Sequence, residues 1–325
     1  MMLGIRQPRI PDIRGLNLGK SSLILIGVLA ATAMVGYTVA QPTETVEDIK
    51  PILVADGTST FNPILKRPEP VPSGVREYTL IAQDKDHEVF PGVDMPGWTL
   101  NSTIPGPTIT AIDGEIVRIR FINNSPRPQT IHGHGVHQIQ YDGIHEVVPP
   151  GGEYLYEWEA EPAGLYLYHS HMMPIAKPVN QGFFGAYVVY PKEPLPAAKE
   201  LLFIMQFIDT DGDGDAAEFY TINARADQFL NDPIQFDLGE RVRIYLINMN
   251  IEFATFHIHG NFFKIYRSPI MWPETAAEFT DVAGLGWGQR AVLEFSYKYP
   301  GLWMFHDHIA EHAEEGLRGW FRVVQ

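Results

Sequence analysis

The chain has 325 residues, enough for two or three domains with packed cores, and 45% hydrophobic with 19% charged residues excludes disorder. Its 29 Gly and 26 Pro point to many turns and an all-β protein, and a net charge of −15 repels nucleic acid. No cysteine is present, which removes disulfides, thiolate nucleophiles, iron–sulfur and zinc–thiolate sites, and any copper centre built on a cysteine sulfur.

Residues 1–20 carry Arg6, Arg9, Arg14 and Lys20 against Asp12, a basic flank of the kind retained in the cytoplasm. Residues 21–40 follow without a charge and are long enough to span a bilayer. That length favours a transmembrane anchor, yet Thr38, Val39 and Ala40 before Gln41 resemble the cleavage site of a signal peptide. Either way, the remainder is expected outside the cytoplasm, membrane-anchored or secreted. Residues 41–72, rich in Pro, Thr and acidic side chains, read as a linker.

From Arg76 onward, short β-rich runs such as Ile116-Val117-Arg118-Ile119-Arg120-Phe121-Ile122 are bounded by Gly, Pro, Asn and Asp, the pattern of a sandwich or barrel. The pattern also repeats. Gly114-Glu115-Ile116-Val117-Arg118-Ile119 returns as Gly239-Glu240-Arg241-Val242-Arg243-Ile244. Gly164-Leu165-Tyr166-Leu167-Tyr168-His169-Ser170-His171 returns as Gly301-Leu302-Trp303-Met304-Phe305-His306-Asp307-His308. Each copy then reaches a Gly-x-x-Gly, from Gly182 to Gly185 and from Gly316 to Gly319. Two homologous β-domains in tandem follow, at 73–191 and 192–325.

Eight of the 12 histidines form four His-x-His pairs: His132 and His134, His169 and His171, His257 and His259, His306 and His308. Side chains alternate faces along a strand, so each pair aims two imidazoles the same way from one rigid segment. Imidazole serves copper and zinc, and also iron and nickel; eight nitrogens can hold three ions. His87, His137 and His145 lack such pairing and are expected to be structural or on the surface. Between the domains' repeats, Asp209-Thr210-Asp211-Gly212-Asp213-Gly214-Asp215 imitates the opening of a calcium loop, but its twelfth position is Tyr220 rather than Glu. It reads as an acidic loop between strands, with weak Ca²⁺ binding as the alternative.

At these residues the chain resembles the multicopper oxidases, specifically their two-domain forms built from tandem cupredoxin-like Greek-key β-sandwich domains. Ile131-His132-Gly133-His134-Gly135, Tyr168-His169-Ser170-His171, Phe256-His257-Ile258-His259-Gly260 and His306-Asp307-His308-Ile309 with His312 match the four copper motifs in order. The resemblance implies a type 2 copper on His132 and His257. It implies a type 3 pair on His134, His169, His171, His259, His306 and His308, together a trinuclear oxygen-reducing cluster. It also implies a homotrimer, with the cluster assembled between the first domain of one subunit and the second domain of the next. Asp142 matches an acid that delivers protons near the type 2 copper; as Asp142-Gly143 it also reads as a simple turn.

The chain departs from the family where a type 1 copper would sit. Those positions fall on Ala254, Asp307, His312 and Leu317, and Ser170 stands where a copper nitrite reductase carries cysteine. No type 1 site is therefore expected in either domain. Asp307 should point away from the cluster toward the vacated pocket and His312, as a salt bridge or as the remnant of a hard-ligand site with Glu311, Glu314 or Glu315. Without the thiolate path, laccase-like turnover is in doubt. The expected function is a copper oxidoreductase that acts on a small molecule or dioxygen directly at the cluster. A non-catalytic copper or zinc protein for storage, delivery or assembly is the alternative, and zinc-assisted hydrolysis a weaker one. Trp303, Phe305, Tyr166 and Tyr168 read as sandwich core, with electron hopping as their other possible use.

Overall fold

The protein is described here from a computed structural model that covers residues 61–211, 218–267 and 278–325. The basic flank, the expected anchor or signal segment, most of the linker and the centre of the acidic loop lie outside the described residues. No helix among the described residues is long and apolar enough to cross a membrane.

The chain forms strands β1 (Ile64–Leu65), β2 (Val75–Phe90), β3 (Val93–Leu100), β4 (Ile109–Ile112), β5 (Ile116–Asn123), β6 (His132–Gly133), β7 (Glu153–Glu159), β8 (Gly164–His169) and β9 (Phe184–Tyr190). The second half supplies β10 (Lys199–Ile208), β11 (Phe219–Ile222), β12 (Asp232–Asp237), β13 (Val242–Asn248), β14 (Ala254–Ile258), β15 (Phe263–Arg267) and β16 (Glu278–Thr280). It continues with β17 (Val282–Leu285), β18 (Arg290–Phe295), β19 (Gly301–Asp307) and β20 (Arg318–Val324). The first half packs sheet β3-β2-β5-β7 on sheet β4-β9-β8-β6; the second packs β1-β10-β13-β18-β15-β16, with β11 on β10, on β12-β20-β19-β14-β17. This is the all-β double sandwich expected from the sequence. The repeated blocks occupy equivalent places: β5 runs parallel to β2, and β13 runs parallel to β10.

Burial explains the sequence patterns. Along β5, buried and half-buried residues alternate without exception, because one face of that sheet meets solvent. By contrast β8, β9 and β13 are buried throughout, because both of their faces are covered. Tyr166 and Tyr168 face the first domain's core, while Leu165 and Leu167 join Leu202, Ile204, Tyr245 and Ile247 in a core between the domains. The four sheets thus stack as four layers, with the β8 sheet against the β10 sheet. Within the stretch read as linker, exposed Ile64 and buried Leu65 pair with β10, so the second domain's sheet begins before the first domain does.

Candidate metal centre

The two Gly-x-x-Gly segments have a packing reason. A Cβ on Gly185 would lie 2.3 Å from the Tyr168 hydroxyl, and one on Gly319 would lie 2.5 Å from Cζ of Phe305. These aromatic residues each precede a histidine, so the bare glycines let the β8 and β19 ends settle flat on β9 and β20. His132 then pairs across the sheet with His169, and His257 with His306.

The result is one tetrad of imidazoles per domain, with nearly the same geometry in both. From His132, ring centroids lie at 5.1 Å (His134), 5.4 Å (His169) and 5.2 Å (His171). From His257, the values are 5.1 Å (His259), 5.3 Å (His306) and 5.1 Å (His308). Four rings donate Nδ1–H to main-chain carbonyls: His132 to Asp142 (2.6 Å), His169 to Ser170 (2.8 Å), His257 to Asp281 (2.8 Å) and His306 to Asp307 (2.6 Å). Each bond fixes the tautomer and leaves the Nε2 lone pair facing inward, as a metal ligand requires. Nε2 of His134 and of His169 lie 3.2 Å apart, and those of His259 and His306 3.0 Å apart. Two nitrogens on one ion at about 2.0–2.1 Å with a near-tetrahedral angle lie about 3.3 Å apart, so both pairs fit a shared ion.

Electrostatics favour the same state. Burial pushes His134 down to about 3, helped by the neighbouring imidazoles and Arg290, and pushes His169 down to about 4. His132, His259 and His306 are lowered for the same first reason, desolvation. These rings are therefore neutral near pH 7. The donor set, all imidazole with no thiolate, fits copper or zinc and excludes a thiolate-bound metal.

Among the described residues, no ring of the first tetrad touches a ring of the second. The strands explain why: β6 and β8 belong to the second layer and β14 and β19 to the fourth, with the β10 sheet between. At about 10 Å per sheet spacing, those layers are roughly 20 Å apart.

The first tetrad opens on a cleft of about 410 Å³ lined by His132, His134, His137, Asp142, Tyr166 and Arg290. The Asp142 carboxylate stands 3.5 Å from Nδ1 of His132 and 3.7 Å from Nε2 of His137. Asp142 is at once a turn residue, capping a short 3-10 helix at 139–141, and a cleft residue. His137 donates from Nε2 to the Gly133 carbonyl (2.9 Å), which braces the first pair. Neither His137 nor Arg290 was singled out for this cleft by the sequence pattern: His137 lies off the strand alternation, and Arg290 arrives from the other domain. His87 bonds the Ala224 carbonyl across the domain boundary (2.8 Å), and His145 is exposed.

Ala254, Asp307, His312 and Leu317 are all buried behind the second tetrad, where the Asp307 amide donates to the Leu317 carbonyl (3.0 Å) and the Leu317 amide to the His312 carbonyl (3.0 Å). Asp307 accepts from His312 Nδ1 (3.0 Å), from the Thr255 amide (3.1 Å) and hydroxyl (2.5 Å), and from the Ile309 amide (2.9 Å). On the far side, Nε2 of His312 meets Glu252 (3.3 Å), and the Tyr220 ring stacks on the imidazole at 3.9 Å. Glu311, Glu314 and Glu315 are exposed and make no bond to the pair. In the first domain, Ser170 donates to Oε1 of Gln129 (2.8 Å). Asp209, Asp211 and Glu218 bring carboxylates together at the base of the acidic loop.

Two family models described as multicopper oxidase match residues 82–194 and 206–325. A solved structure described as a multicopper oxidase is 41% identical, with a TM-score of 0.75 over 79% of this chain and 92% of that one. A copper nitrite reductase structure from Nitrosomonas europaea shares the fold at 23% identity and a TM-score of 0.71, covering 77% of this chain and 94% of that one. The probable nitrite reductase–hydroxylamine oxidoreductase fusion protein of Kuenenia stuttgartiensis is 29% identical over 73% of this chain, which spans only 30% of that longer protein. The copper-containing nitrite reductase of Neisseria gonorrhoeae is 25% identical over 80% of this chain and 71% of its own length. With both halves of the chain matched by the family and its histidine tetrads carried on equivalent strands of two sandwiches, this protein belongs to the multicopper oxidases.

Proposed function

We propose that the protein is a copper oxidoreductase whose two tetrads, each a half-site, combine between subunits of a homotrimer into a trinuclear cluster that operates without a type 1 copper. The observation that carries this reading is the matched pair of tetrads held in different layers of one chain, each with inward Nε2 lone pairs. His132 and His257 would hold the type 2 ion, and His134, His169, His171, His259, His306 and His308 the type 3 pair. Exposed apolar residues near the tetrads support a covered interface: Val136, Ile139, Ile144 and Val147 beyond the first, and Phe262, Phe279 and Leu302 around the second.

Copper held by these eight histidines would supply one-electron chemistry toward dioxygen or a small nitrogen oxide. The protein residues supply the rest. Asp142 stands in the cleft where its carboxylate can hand a proton toward the ligand bound beside His132, while its carbonyl keeps that imidazole oriented. The absence of any cysteine removes the thiolate through which an outer-sphere donor would feed electrons, so the reductant is expected to bind at the cluster itself. The relatives named as copper nitrite reductases make nitrite the first nitrogen oxide to try. The uncharged run at 21–40 supports a place outside the cytoplasm, anchored or secreted.

The same missing thiolate favours a second reading, a non-catalytic copper or zinc protein for storage, delivery or assembly. One experiment separates them: consumption of dioxygen or nitrite by the copper-loaded protein, by the zinc-loaded protein and by the His306→Ala/His308→Ala variant, with several small reductants. Turnover with copper alone, lost in the double variant, supports the oxidoreductase. Full copper loading with no turnover of either oxidant supports the storage reading.

A further inference from the structure

Among the described residues, Arg290 is the guanidinium that lines the cleft beside the first tetrad, and it makes no ion pair. Arg76, Arg118, Arg243 and Arg318, all partly or fully buried, each meet a carboxylate. Arg290 meets only carbonyls: its Nε donates to Leu165 across the domain boundary (2.7 Å) and its Nη1 to Gly288 (3.2 Å). Its guanidinium carbon sits 5.5 Å over the Tyr166 ring, and Nη2 has no partner among the described residues. The Leu165 bond fixes where the fork points, and the cleft it lines also holds His132, His134 and Asp142. A guanidinium held rigidly and stripped of part of its water binds an oxyanion better than a mobile surface cation does. The protein as a whole repels anions, so an anionic ligand needs such a local cation to enter.

We propose that Arg290 is the anion-docking residue of this cleft, so that the ligand admitted beside the first tetrad is a small oxyanion bearing one negative charge. A single guanidinium favours one charge over two or three. This deepens the copper reading above and rests on the first tetrad being a metal site.

The test is titration calorimetry of the copper-loaded full chain with nitrite as the anionic probe and pyridine as a neutral one, for wild type, Arg290→Gln and Arg290→Lys, with copper per chain measured alongside. The expected result is nitrite affinity at least about tenfold weaker in Arg290→Gln and within about threefold of wild type in Arg290→Lys, with pyridine binding and copper content unchanged. Unchanged nitrite binding in Arg290→Gln, or equal loss of both probes, overturns the proposal. If Arg290→Gln does not fold, competition in the wild type decides: formate must weaken nitrite binding and leave pyridine binding alone, and no such selectivity overturns it. A wild-type chain that takes up no copper refutes the metal-centre reading itself and removes the proposal with it, a result distinct from a copper-loaded chain indifferent to Arg290.

Discussion

Replacing Asp307 by Asn tests whether Asp307 and His312 form a structural ion pair behind the second tetrad. The wild-type carboxylate is fully buried and accepts four hydrogen bonds, three of them from Thr255 and Ile309. Asn retains an oxygen for those three but turns an amide N–H toward the Nδ1–H of His312, so that bond is lost and the buried imidazolium keeps only the half-exposed Glu252 carboxylate, 3.3 Å from its Nε2, as counter-charge. Removing one partner of a buried pair costs about 3–5 kcal/mol, and the retained bonds place this variant near the lower end. The pH dependence identifies the pair. Burial by itself would lower His312, but the hydrogen bond and charge of Asp307 win and raise it above 6.5. Its contribution is therefore complete below 6.5 and fades as pH rises through the raised value. Burial likewise opposes Asp307, yet His312, Thr255 and Ile309 hold it below 3.8, so its contribution is present above 3.8 and fades as pH falls through the lowered value. Urea unfolding of the metal-free protein should show the largest gap between wild type and Asp307→Asn near pH 5.5, and a smaller one near pH 9. A loss below about 1 kcal/mol, or a gap that does not change with pH, refutes the reasoning.

Other outcomes follow from the same geometry. Asp142→Asn keeps the carbonyl that orients His132, so turnover should fall by about a hundredfold or more while copper per chain, measured by atomic emission, stays constant. Gly143 has φ +74° and a Cβ there would lie 2.1 Å from the Ile131 carbonyl oxygen. Gly143→Ala should therefore displace Asp142, cost about 1 kcal/mol or more in thermal unfolding, and weaken copper binding at His132. The depressed His134 and His169 bind protons more readily unfolded than folded, so metal-free protein should lose stability as pH falls from 6.5 toward about 4 and then toward about 3. A flat urea midpoint across that range would contradict the burial assigned to those rings.

The tetrads were legible in the sequence because a strand's period of two turns a His-x-His directly into two same-facing imidazoles. The duplication was legible because the Gly-Glu and Gly-x-x-Gly blocks mark equivalent turns and close approaches in both sandwiches. The contact between Asp307 and His312 could be anticipated, since five residues and a strand-to-helix corner separate them. Its other partners could not: Glu252 and Tyr220 come from segments distant in sequence and meet His312 only through sheet packing. The same holds for Arg290, which reaches the first domain's cleft from β18. His137 was placed among structural histidines, and its bond to Gly133 fits that, but its position against Asp142 depends on the turn at 139–141. The early start of the second domain's sheet at Ile64 was hidden by the Pro-rich composition around it.

In the proposed function the two half-sites become whole only between chains. Native mass spectrometry of the copper-loaded protein, with its absorption spectrum, tests this most directly. The expected species is a trimer holding three coppers per chain, without the intense blue band of a thiolate-bound copper, and dissociating into chains that release their metal. A monomer that keeps a full complement of copper, or a trimer that forms with the tetrads empty when copper is abundant, would contradict it.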